Sequence, residues 1–271
     1  MFKLKRLAVI STAVMLTIFG YGKAFSLTMT GSTTVFPLAQ YCAEVFSDQN
    51  PKMKVAVRGG GSSVGIAALS DRTTDIGMSS RPMSAKEIKT AKMKGVNPTE
   101  NIVAWDGIAV IVNQSTEMDK ITISQLKDIF SGKITNWGEL GLKRQKIVVV
   151  SRDTSSGTFE AFNVFVMKGE KVASTALMQA SNEAIASIVS STPGAIGYIG
   201  MGYIRESIKV LSINGQMPTK ATVKNKTYPF SRPLYMYTNG APKGDVASFI
   251  NFVLGSQGQK IVEEEGFVAV K

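Results

Sequence analysis

Short apolar, β-branched runs alternate with segments of helical period along this chain, and that alternation narrows the fold more than any other feature. Residues 28–30, 54–57, 75–78, 102–105, 107–112, 147–150, 195–199 and 234–237 read as strands. Between them, Phe36, Ala39, Gln40, Ala43 and Phe46 fall at the 3.6-residue spacing of one helix, and Phe159, Phe162, Phe165 and Val166 at that of another. Strands and helices taken in turn predict an α/β protein with mainly parallel sheets. The run Ile147-Val-Val-Val-Ser151 is continuous rather than alternating, as a strand covered on both faces requires. Residues 95–98 and the Lys-rich, Pro-bounded stretch 218–229 read as loops.

Three of the strand-to-helix connections share a composition. Gly31-Ser32-Thr33-Thr34, Gly59-Gly60-Gly61-Ser62-Ser63 and Arg152-Asp153-Thr154-Ser155-Ser156-Gly157-Thr158 each place small hydroxyl residues ahead of a helix. The first turn of a helix has N–H groups without partners and a partial positive charge, so it attracts anions. Glycine admits a ligand close to the backbone, and hydroxyls add donors without adding charge. A Ser or Thr in such a place also serves as an ordinary N-cap, worth about 1 kcal/mol. Three loops of one kind, joined by Arg152 and by Arg81 of Asp75-Ile-Gly-Met-Ser-Ser-Arg-Pro82, point instead to a shared oxyanion. Arginine matches a tetrahedral oxyanion with a planar fork of donors. Arg58 and Arg72 read as surface or sheet-edge residues.

Composition removes most chemistry. The 271 residues include no histidine and one cysteine, Cys42. Ser-His-Asp and Cys-His catalysis, imidazole zinc sites and an intrachain disulfide are therefore excluded, and no cofactor or metal is expected. Gly61-Ser62-Ser63-Val64-Gly65 fits the nucleophile-elbow pattern but has no histidine to serve it. Ser124-Gln-Leu-Lys127 fits the Ser-x-x-Lys pattern without its companion elements and reads as a helix start with Ser124 as N-cap. The chain is expected not to be an enzyme.

Residues 1–26 carry Lys3, Lys5 and Arg6, then an uncharged run over 7–20, then Ala24-Phe25-Ser26. This is the plan of a secretory signal peptide, and 14 apolar residues of helix reach only about 21 Å, short of a bilayer core. Cleavage after Ser26, without a lipid anchor, predicts a soluble periplasmic protein. The remaining 245 residues hold 27 Lys and Arg against 20 Asp and Glu, a net charge of +7. That balance suits an anionic partner, but no dense basic run with interleaved aromatics indicates nucleic acid.

Taken together, Thr30-Gly-Ser-Thr-Thr-Val-Phe-Pro37, Gly59-Gly-Gly-Ser-Ser63, Asp75-Ile-Gly-Met-Ser-Ser-Arg81, Asp106-Gly-Ile-Ala-Val-Ile-Val112, Arg152-x-x-x-Ser156-Gly-Thr158 and Pro193-Gly-Ala-Ile-Gly-Tyr198 resemble, block by block and in order, the phosphate-binding proteins of phosphate ABC transporters. The closing helix through Ile250-Asn251-Phe252 extends the likeness over nearly all of the chain after residue 26. The resemblance implies a type II periplasmic-binding-protein fold, two α/β lobes joined by two crossing strands with the anion in the cleft. It places one lobe at 27–106 plus 228–271 and the other at 107–227, with hinges near Asp106-Gly107 and Phe230. Carried over by position, the phosphate-binding residues are Ser32, Thr33, Thr34, Ser62, Ser80, Arg81, Arg152, Ser156, Gly157 and Thr158. Some family members have an aspartate where Arg81 stands, which accepts the proton of hydrogen phosphate. Here that role falls to Asp106 first and Asp153 second, unless these carboxylates simply pair with Arg81 and Arg152. The implied partners are inorganic phosphate and an inner-membrane ABC permease, with the chain a monomer. Two other readings stay open: a binder of another oxyanion (sulfate, molybdate, a phosphate ester), and a phosphate scavenger or adhesion protein without a transporter.

Overall fold

The computed structural model describes residues 25–270. The expected leader lies outside them except for its last two residues, which open the first strand. The strands are β1 (Phe25–Gly31), β2 (Met53–Arg58), β3 (Ile76–Ser79), β4 (Pro98–Asn113), β5 (Lys120–Ile121), β6 (Val148–Arg152), β7 (Leu177–Gln179), β8 (Ala195–Gly200), β9 (Ile208–Val210), β10 (Ser212–Ile213) and β11 (Ser231–Asn239). The helices are α1 (Phe36–Gln49), α2 (Ser62–Ser70), α3 (Ala85–Met93), α4 (Ile123–Phe130), α5 (Gly157–Phe162), α6 (Asn182–Ser191), α7 (Lys220–Lys224), α8 (Gly244–Leu254) and α9 (Ser256–Glu264).

One long sheet runs β2-β1-β3-β11-β4-β8-β6-β7, with β9 also on β4. Its two ends are parallel, β1 with β2 and β3, and β6 with β7 and β8. Its middle is antiparallel: β11 pairs with β3 and β4, and β4 with β8 and β9. The sheet is thus mixed rather than mainly parallel, because the two runs expected at 102–105 and 107–112 are one 16-residue strand that serves both halves. Up to Gly107 that strand pairs with β11; from Ile108 it pairs with β8. The switch falls one residue beyond Asp106, and Phe230 lies beside it, its carbonyl accepting from the Ile108 amide.

Other departures are local. Thr122, not Ser124, caps α4 through a capping box with Gln125. Stretch 218–229 contains the short helix α7, capped by Thr219. The aromatic stripe after β6 begins as α5 and continues as a π-helical turn over Asn163–Met167.

The cores follow the expected stripes. Leu38, Ala39, Cys42, Ala43 and Phe46 of α1 are buried, with Phe46 edge-on to Phe249 of α8 at 5.3 Å. Burial pushes the Cys42 thiol up to about 12, so it behaves as an apolar core residue. In the other half, Phe162 stacks on Tyr198 at 3.9 Å, with Phe130 against both. This contact fixes the end of α5 relative to β8. No described helix is long and apolar enough to cross a membrane.

Candidate functional site

The three hydroxyl loops come together where the two halves of the sheet meet. β1 delivers Ser32, Thr33 and Thr34; the turn after β2 delivers Ser62; β3 leads into Ser80 and Arg81; β6 ends at Arg152 and leads to Ser156, Gly157 and Thr158. Thr34 Oγ1 lies 2.9 Å from Thr158 Oγ1, a contact between residues 124 apart in sequence. Ser62 Oγ accepts from the Ser80 amide at 3.0 Å and lies 3.4 Å from Ser80 Oγ. A Cβ on Gly157 would sit 2.3 Å from Ser62 Oγ and 2.8 Å from Ser80 Oγ. Glycine is therefore required there for α5 to approach α2.

Two of the serines act as caps. Ser32 Oγ accepts from the amides of Thr34 and Val35, and Ser156 Oγ from those of Thr158 and Phe159. These hydroxyls consume amides that the helix-terminus argument offered to an anion, and leave their own O–H groups as donors. The Thr33 carbonyl accepts from Tyr203 at 2.5 Å.

Arg152 differs from Arg81, the other arginine expected at the site. Its side chain is 1% exposed, Nε donates to the Gln179 carbonyl at 3.2 Å, and Nη2 donates to the Ala180 carbonyl at 2.9 Å. Nη1 is buried with no partner. Among the described residues no carboxylate pairs with it, and burial lowers its pKa to about 10, so it stays charged at neutral pH. Tyr198 holds the Arg152 backbone by accepting from its amide at 3.2 Å. A buried guanidinium with an open donor and no counter-charge is costly unless something anionic completes it.

Arg81 has no such opening, contrary to expectation. Nη1 and Nη2 grip Glu87 at 2.8 and 2.7 Å, with further bonds from Nη1 to the Pro82 carbonyl and from Nη2 to Ser63 Oγ. Nε lies 2.6 Å from Glu160 Oε2, without the alignment of a hydrogen bond. Burial alone would lower its pKa; the hydrogen bonds to Glu87 and the charges of Glu160 and Glu87 outweigh that and raise it. Two carboxylates have taken the guanidinium that the resemblance gave to phosphate.

Asp106 pairs with neither Arg81 nor Arg152. It is fully buried, and its Oδ2 accepts from Arg232 Nε and Nη2 at 2.9 and 2.8 Å. Oδ1 accepts from the Met201 amide at 2.9 Å. Burial raises the Asp106 carboxyl, and the Arg232 charge and these donors work against that rise. Three of a carboxylate's about four lone-pair sites are thus taken by donors that hold Asp106 against Arg232 and Met201. Asp153 instead folds its own loop by accepting from Ser155 N and Oγ at 2.8 and 2.5 Å.

Sequence reasoning missed Arg232 and Asn182. Arg232 Nη2 donates to Thr158 Oγ1 at 3.0 Å and Nη1 to the Ser80 carbonyl at 3.2 Å, so one side chain braces both halves. Asn182 Nδ2 donates to Thr34 Oγ1 at 3.1 Å. Accepting from Asn182 and Arg232, and bonded to each other, the Thr34 and Thr158 hydroxyls have one O–H between them left to donate forward. The signals were a cation inside the buried strand Ser231–Asn239 and an amide at the first position of α6. Among the described residues no group of His, Cys, Asp and Glu could hold a metal ion.

An α/β sheet in two halves around a donor-lined cleft defines a binding protein of the periplasmic class, and the PBP superfamily domain matches residues 20–257. The chain belongs to that superfamily and, within it, to the PstS phosphate-binding protein family. It is 35% identical over 247 residues to phosphate-binding protein PstS of Bacillus subtilis, covering 90% of this chain and 81% of that one. Against PstS of Borreliella burgdorferi it is 33% identical, over 89% of this chain and 88% of the relative. The crystal structure of a substrate-binding protein assigned to a phosphate ABC transporter of Clostridium perfringens, with phosphate bound, superposes with a TM-score of 0.84. Sequence identity there is 36%, over 91% of this chain and 100% of that one. The type II fold with two lobes and two crossing strands is therefore that of this chain.

Proposed function

We propose that this chain is an extracytoplasmic solute-binding protein that captures inorganic phosphate between its lobes and delivers it to an ABC permease of the inner membrane. The observation that carries the reading is Arg152, a buried cation without a carboxylate and with Nη1 open, among hydroxyls turned to donate. Arg152, Thr34, Thr158, Ser62, Ser80, Gly157, Thr33, Ser32 and Ser156 form the anion site; Asp106 and Arg232 brace it. Residues 27–106 with 228–271, and residues 107–227, are the two lobes. The strand switch at Gly107 and the neighbouring Phe230 supply a pair of hinges for closure. The protein is exported after cleavage near residue 26, works as a monomer, performs no catalysis, and presents its closed shape to the permease. Relatives named as phosphate-binding proteins, and a 36%-identical structure with bound phosphate, favour phosphate over other oxyanions.

Isothermal titration with phosphate, with sulfate as competitor, tests this reading. Hydrogen bonds to a charged ligand contribute about 1.5–3 kcal/mol each, so micromolar or tighter affinity is expected. Absence of heat with phosphate, or equal affinity for sulfate, contradicts it. Gly157→Ala tests the geometry separately: its methyl group falls between the Ser62 and Ser80 hydroxyls, so phosphate binding should weaken by about 100-fold or more while the melting temperature changes little.

A further inference from the structure

The carboxylate that meets Arg81 Nε comes from the opposite half of the molecule. Arg81 follows β3, whereas Glu160 lies on α5, three residues beyond Gly157. Glu160 Oε1 accepts from Ser63 Oγ at 3.2 Å, and the same Ser63 Oγ accepts from Arg81 Nη2 at 3.0 Å. Arg81 and Glu87 already form a neutral, two-pronged pair within one half, so Glu160 is not needed to balance the arginine. Its contribution is to cross the cleft. Beside it, the Ser63 amide donates to the Ser155 carbonyl at 3.1 Å, and Ser155 Oγ lies 3.1 Å from the Gly60 carbonyl. A Cβ on Gly61 would lie 2.5 Å from Ser155 Oγ, so this seam closes on bare backbone.

We infer that Glu160 is a positioning residue of the binding site: paired with Arg81 and Ser63 across the cleft, it latches α5 against α2 and sets the rate at which the bound anion leaves. The inference rests on the proposed capture of phosphate between the lobes. Arg81 is the socket for this closing carboxylate. Glu160 is 39% exposed and contacts the site only through Ser63 and Arg81, so its loss spares the phosphate donors. Such a latch is absent from the open form and acts only after closure. It therefore leaves association alone and slows dissociation.

The test is stopped-flow measurement of phosphate association and release for the wild type, Glu160→Gln and Glu183→Gln. Glu183 forms an exposed pair with Arg205 within one half of the molecule, so it does not span the cleft, and serves as a control for loss of one surface charge. Release from Glu160→Gln should be about three- to tenfold faster, with association within about twofold of wild type. Added NaCl should quicken release from the wild type more than from Glu160→Gln. Glu183→Gln should match the wild type in both rates. Wild-type release from Glu160→Gln, or a loss carried by slower association, overturns the latch and leaves phosphate capture standing. A wild type that binds no phosphate overturns both.

Discussion

Replacing Arg152 with methionine should weaken phosphate binding by about 100- to 1000-fold without lowering the melting temperature of the unliganded protein. The two halves of that expectation come from one observation. Arg152 is 1% exposed, held by two carbonyls, and carries a buried Nη1 without a partner. In the absence of an anion such a charge costs more in desolvation than its two neutral partners return, and methionine fills similar space without the cost. With phosphate present the same charge becomes the strongest single contact in the site. The wild type should show the converse: phosphate at about 1000 times its dissociation constant stabilises by about 4 kcal/mol. In a domain of this size that raises the melting temperature by about 8–16 °C. Arg152→Met should lose that rise over the same phosphate range. A clear fall in the unliganded melting temperature of Arg152→Met would mean that the guanidinium is structural.

The second large effect is of opposite kind. Asp106→Asn should destabilise the protein by about 3–5 kcal/mol, because it leaves the Arg232 guanidinium buried without its counter-charge. Arg232 is 4% exposed and Asp106 fully buried, and the pair sits where β4 passes between the halves. Arg232→Met should cost a similar amount. The double variant should lose clearly less than the sum, since each single change strands the partner of the other. Urea unfolding of the three variants reads this directly. If Asp106→Asn unfolds like the wild type but loses its preference for phosphate over sulfate, then Asp106 accepts the ligand's proton and the bracing role is wrong.

The contrast between Arg81 and Arg152 shows where sequence reading reached its limit. Both arginines stand at or just after the end of a strand, next to hydroxyl residues, and the chain alone treats them alike. What separates them is the supply of carboxylates. One of these was legible: Ser84 and Glu87 form a capping box, which places Glu87 one turn from Arg81. The other, Glu160, is 79 residues away and arrives only through the closure of α5 on α2. Asp106 likewise found Arg232 across 126 residues. Arg232 was passed over because the burial of β11 between β3 and β4 is not a local property.

Local features were read more reliably. The hydroxyl loops fall between strands and helices as expected, and the α1 stripe is buried residue for residue apart from Phe36 and Gln40. The antiparallel middle of the sheet was missed because periodicity gives a strand's existence but not its partner or direction. Asn182 was passed over since an asparagine at the start of a helix is ordinary. Its side chain matters only because Thr34 is brought beneath it.

A crystal structure of the wild-type protein with phosphate tests the central claim most directly, since the claim concerns which guanidinium meets the anion. Tetrahedral density should lie with one oxygen about 3 Å from Arg152 Nη1 and others within reach of the Thr34 and Thr158 hydroxyls. Arg81 should remain on Glu87 and Glu160. Phosphate bound to Arg81, with Glu160 displaced and Arg152 Nη1 still without an oxygen, would contradict the account.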